Sequence, residues 1–139
     1  MRFPLLGLAT LITLPAFAEP QITNLPTSQL DWQTTPEGVA FAALEGNRFE
    51  SAYMAMVRLP AGLASPPHVK TANMFGIVVE GEMTHVAHVN PQTAPVLSAG
   101  AFYKIPKDLP HVSSCVSDVP CVAFLYQDGQ FDFLPVGQP

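Results

Sequence analysis

Four histidines, His68, His85, His88 and His111, and the lysine Lys70 carry most of the chemistry this sequence offers. His68 and Lys70 are two residues apart, so in a strand they share one face. His85 and His88 are three apart, so in a strand they face opposite ways and cannot bind one ion. A site built from His68, His85 and His111 would satisfy zinc, copper, nickel or ferrous iron. Met74 would add a soft thioether, which favours Cu(I) over hard cations. Lys70 argues the other way, because an ammonium repels a cation unless burial depresses its pKa. It suits a carboxylate, or a Schiff base with a carbonyl compound. Met54 and Met56 sit at strand spacing and read as core filling.

Cys115 and Cys121 are six apart around Ser117-Asp118-Val119. A turn at those three residues would set the two cysteines opposite each other on a hairpin and favour a disulfide in an oxidising compartment. The short loop it closes implies about 2–3 kcal/mol of stabilisation. Cys115 shares a strand face with His111, but four residues of strand separate them by roughly 13 Å, too far to share a metal. No serine-nucleophile motif, P-loop, dinucleotide fingerprint or CxxC pair occurs in the sequence.

The elements that must position these groups are short and β-rich. Apolar runs cover Val39–Leu44, Ala52–Leu59, Met74–Val79, Met83–Val89, Ala101–Ile105, Val112–Val116, Cys121–Tyr126 and Phe131–Leu134. Between them stand turn residues such as Glu80-Gly81, Asn90-Pro91, Ala99-Gly100 and Asp128-Gly129. About eight closely spaced strands without crossover helices predict one antiparallel all-β sandwich or barrel. After Gly81 the apolar phase shifts to Met83, Ala87 and Val89, with His85 on the same face. A glycine bend that flips the register accounts for this, and it turns His88 outward.

The ends bound the setting. Arg2, the apolar run from Phe3 to Leu14 and Ala16-Phe17-Ala18 read as an export signal over residues 1–18. A polar, proline-punctuated arm follows over 19–36, with Trp32 as an anchor, and a single β-barrel domain over 37–139. The formal charge of −5 becomes about −6 once Arg2 is removed with the leader. This acidic balance offers no footprint for nucleic acid and no polybasic patch for a membrane surface. The expected location is the periplasm or the exterior.

Two segments resemble the paired motifs of the cupin superfamily. Gly62, His68, Lys70, Met74 and Gly81 keep the spacing of the first motif, and Gly100, Pro106, Asp108, His111 and Cys115 that of the second. Four identities depart: Lys70 stands for a histidine, Met74 for a glutamate, Asp108 for a glycine and Cys115 for an asparagine. The wider text, including Leu59-Pro60-Ala61-Gly62, Pro67-His68 and Gln127-Asp128-Gly129-Gln130-Phe131-Asp132-Phe133, resembles an uncharacterised single-domain cupin family. The resemblance implies a double-stranded β-helix, or jelly roll, whose lumen receives His68, Lys70, Met74, His85 and His111. Three readings stand open. In the first, the lumen binds a small molecule, with Lys70, Met74 and His85 as ligand contacts. In the second, it holds a single Zn, Fe, Cu or Ni ion through His68, His111 and His85; a metal-dependent enzyme of dioxygenase or isomerase type, acting on a small carbonyl or carboxylate compound, would follow from it. In the third, the barrel is structural and has no cofactor. Pairing into a homodimer is a further expectation that the resemblance carries.

Overall fold

The computed structural model describes residues 19–137, so the predicted leader lies outside the described residues. Among the described residues ten strands form: β1 (Trp32–Thr34), β2 (Ala40–Glu45), β3 (Tyr53–Leu59), β4 (His68–Val69), β5 (Met74–Glu80), β6 (Met83–Ala87), β7 (Phe102–Ile105), β8 (His111–Cys115), β9 (Cys121–Gln127) and β10 (Leu134–Pro135). The only helical element among the described residues is a 3-10 turn at Thr27–Gln29. One sheet has six strands in the order β1-β2-β3-β9-β5-β7; the other has four in the order β10-β4-β8-β6. The pairings between named strands are antiparallel, as the absence of crossover helices requires.

Alternation of side chains builds the space between the sheets. In β3, Tyr53, Ala55, Val57 and Leu59 are buried, while Met54 and Arg58 are exposed and Met56 is half-buried between them. This corrects the expectation for the two methionines: both lie on the outer face and fill no core. In β5, Met74, Gly76 and Val78 point inward, the side that the cupin resemblance turns toward the lumen. The chain then changes sheets. The β5–β9 register shifts between Val78 and Glu80, and Gly81 takes φ +75°. A Cβ at Gly81 would stand 2.9 Å from Cys121 Sγ and Ser117 Oγ, so this corner needs glycine for both torsion and space. Beyond it Met83 is buried and His85 turns inward, whereas Val89 lies past the end of β6 and is exposed. The regular inward set therefore ends at Ala87.

Three further predictions are corrected. Trp32–Thr34, within the expected arm, joins the larger sheet through β2, and Arg58 lies 4.0 Å over the Trp32 ring. Residues Phe131–Phe133 do not form a strand; only Leu134–Pro135 pairs, against β4. Cys115 and Cys121 do form a disulfide, with Cα atoms 5.6 Å apart, but not across a hairpin. Cys115 ends β8 in the smaller sheet and Cys121 begins β9 in the larger, so the bond ties the two sheets together at a corner.

Candidate functional site

β4 and β8 pair through a single position, where His68 faces His111. The two imidazoles touch, with ring centroids 4.3 Å apart. Both are buried between the sheets, at 3 % and 2 % exposure. His85 comes from β6, the other neighbour of β8. It pairs with Ser113 while Ala87 pairs with His111, which sets His85 diagonally beside His111 on the same face. The His85 ring crosses to the other sheet and meets Tyr103 of β7 at 4.1 Å. His88 follows β6 and lines a surface hollow with Pro110 and Val136, a lining that includes none of the other three histidines.

The hydrogen bonds fix the tautomers of two rings. His111 Nδ1 lies 2.9 Å from the Leu109 carbonyl, and His68 Nδ1 lies 2.9 Å from the Pro66 carbonyl. A carbonyl only accepts, so each Nδ1 carries the proton and each neutral ring keeps its lone pair on Nε2. His85 Nδ1 meets the Ser113 hydroxyl at 2.8 Å, a partner that serves either tautomer. The Nε2 atoms of His85 and His111 are buried with no hydrogen-bond partner. Burial pushes His68 and His85 down to about 4, with the neighbouring His111 adding to the effect on both. Desolvation likewise lowers His111, opposed by its bond to Leu109 and reinforced by Lys70. All three imidazoles are neutral at neutral pH.

Two features that position these rings escaped the sequence reading. Gly76 pairs with Tyr103, and a Cβ on Gly76 would fall 2.2 Å from the Tyr103 ring. The missing side chain is the space the tyrosine occupies, and the tyrosine in turn supports His85. A glycine inside a strand signals such a close approach. The second is a strap over residues 128–136. Phe133 stacks on His68 at 4.0 Å and 17°, and Phe131 meets Phe41 edge-on at 5.4 Å. The Asp132 carboxylate accepts the Thr71 N–H at 3.0 Å.

Residues 21–130 match the family model of the ChrR cupin-like domain. The chain belongs to the ChrR cupin-like family. A comparison with curated proteins finds no match. Among solved structures, this cupin is similar to KdgF from Halomonas sp., with 17 % identity and a TM-score of 0.61, over 78 % of this chain and 94 % of that one. It is also similar to the polyketide cyclase RemF from Streptomyces resistomycificus, with 13 % identity and a TM-score of 0.67, over 86 % and 88 % of the two chains. A third likeness is to the Rhodobacter sphaeroides complex of SigE with the anti-sigma ChrR, with 19 % identity and a TM-score of 0.59. It covers 74 % of this cupin and 52 % of that chain, so this cupin spans about half its length. These likenesses show the fold.

The four departures from the cupin motifs each have a local cause. Asp108 takes φ +61°, a left-handed torsion that Asp tolerates, and its N–H donates to the Lys70 carbonyl at 2.8 Å. The turn of the second motif therefore survives without its glycine. Cys115 serves the disulfide. Met74 packs in the apolar core. Lys70 donates through Nζ to the Asp132 carbonyl at 2.6 Å and lies 4.4 Å over the Phe131 ring. Burial lowers its pKa to about 8, partly offset by Asp132. Its ammonium is thus engaged by the strap.

The donor set decides whether a metal fits. Among the described residues, no three His, Cys, Asp or Glu side chains group closely enough to hold an ion. His68 and His111 adjoin, but Lys70 and Met74 occupy the positions from which a cupin would complete the set. A resident divalent ion takes three or four protein ligands. Among the described residues, His68, His85 and His111 do not close into such a set.

Proposed function

We propose that this cupin is an exported binding protein whose lumen holds a small organic molecule by a hydroxyl group, between His85 and His111. The supporting observation is the pair of buried Nε2 atoms with no partner. His111 Nε2 is an acceptor, because its Nδ1–H is committed to Leu109. His85 Nε2 takes either role, because Ser113 serves either tautomer. A hydroxyl donates and accepts, so it satisfies both atoms; leaving such groups buried and unpaired costs about 1–3 kcal/mol each. Lys70 is engaged by Asp132, which leaves the ligand's polar head to the histidines. Export is supported by the leader-like residues 1–18 and by a disulfide, which persists in oxidising compartments.

Native mass spectrometry of the untagged protein tests this reading. It should show an organic adduct that is lost in His111→Gln while the circular dichroism spectrum is kept. An adduct retained in that variant, or a stoichiometric metal ion in its place, refutes the reading.

A further inference from the structure

Away from the histidines, a cavity of about 430 Å³ opens on the β1–β2–β3 side of the larger sheet. Its walls include Asp31 and Gln33, Phe41 of β2, the loop residues Arg48 and Phe49, and Tyr53. The volume lies in the range of small-ligand sites. Arg48 is the cationic residue of this lining. Its guanidinium stacks 4.3 Å over Phe41, 4.5 Å over Phe49 and 5.3 Å over Phe131. Those faces satisfy its charge in part, but they accept few of its N–H bonds, and Nη1 is buried with no hydrogen-bond partner.

We propose that this cavity binds a small monocarboxylate with an apolar body, its carboxylate on Arg48. The aromatic stack holds the guanidinium in one orientation, so little side-chain freedom is lost when a planar carboxylate meets its fork. Phe41, Ala43 and Ala55 supply an apolar wall for the body of the ligand. Asp31 on the same lining disfavours a second carboxylate on that ligand. This site differs from Lys70, to which the sequence assigns an anion. The Lys70 ammonium already has a carbonyl partner, whereas Arg48 lines open volume and its Nη1 has no hydrogen-bond partner.

Benzoate, with benzamide as its uncharged counterpart, is the probe. In titrations of labelled protein followed by NMR, benzoate should give saturable shifts at the Arg48 Nε–H and at the Phe41 and Phe49 rings; benzamide should not. Arg48→Gln should weaken benzoate binding by about tenfold or more, the loss expected for a charge-assisted bond. Asp31→Asn, a change at an exposed residue, should tighten it. This second variant keeps the test informative if Arg48→Gln disturbs the Phe41 packing. Equal binding of benzamide, benzoate shifts confined to His68 and Lys70, or no effect of Asp31→Asn would overturn the proposal.

Discussion

Phe133 lies flat on His68, with ring centroids 4.0 Å apart and planes 17° from parallel. The stack is made by a segment outside any strand, held by Lys70 on the Asp132 carbonyl and by Thr71 on the Asp132 carboxylate. The strap thus closes over the histidine cluster and contributes to its dryness.

Removing that ring should therefore act on His68 before it acts on the fold. Phe133 is itself 37 % exposed, so Phe133→Ala should cost only about 1–2 kcal/mol in denaturant unfolding. The His68 pKa, near 4 in the intact protein, should rise toward 6.5 as water reaches the ring. An NMR pH titration of the imidazole signals measures the shift. An unchanged His68 pKa would mean that the strap does not control its hydration.

Stability should fall on mild acidification. His68 and His85 titrate near 4 in the folded chain and near 6.5 when unfolded, so between these values the unfolded state binds more protons. Their contribution is fully present above pH 6.5 and is lost as pH falls toward 4, at up to about 1.4 kcal/mol per pH unit for each ring. Lys70, near 8 when folded against 10.5 unfolded, adds a second rise in stability between those pH values. Chemical denaturation of chelator-treated protein from pH 4 to 10 would record both slopes. A flat profile between pH 4 and 6.5 would contradict the buried neutral histidines.

Gly76→Ala tests the support of His85. A Cβ at this position meets the Tyr103 ring at 2.2 Å, so the ring must swing away from its contact with His85. The expected cost is about 1–3 kcal/mol, the range for overpacking a core. The His85 and Tyr103 ring signals should shift together in NMR spectra, while those of His68 move little. Wild-type stability with unchanged ring signals would show that the site does not depend on this glycine.

Much of the fold was legible because about eight short β-rich runs, separated by turn residues and without crossover helices, leave an antiparallel all-β domain as the packing solution. The cupin resemblance also assigned His68 and His111 to the lumen, though not their direct pairing across β4 and β8. Where the sequence reading failed, the deciding partners were remote. Tyr53-Met54-Ala55-Met56-Val57 is apolar in both phases, so alternation alone could not tell which side faces the core; the structure buries Tyr53 and Ala55. Phe131-Asp132-Phe133 has strand periodicity, yet Phe41, Lys70, Thr71 and His68 capture its side chains and its backbone. β4 spans two residues, too few to show a period. The cysteine spacing gave the bond but not its place, since a corner between sheets can hold the same short loop as a hairpin.

The most direct test of the site is a long-range ¹H–¹⁵N spectrum of histidine-labelled, metal-free protein at neutral pH, before and after one equivalent of Zn²⁺. The predicted spectrum shows His68 and His111 as neutral rings protonated at Nδ1, and zinc leaves His68, His85 and His111 unchanged. Stoichiometric zinc shifts at the Nε2 atoms of all three would contradict it and make the lumen a metal centre.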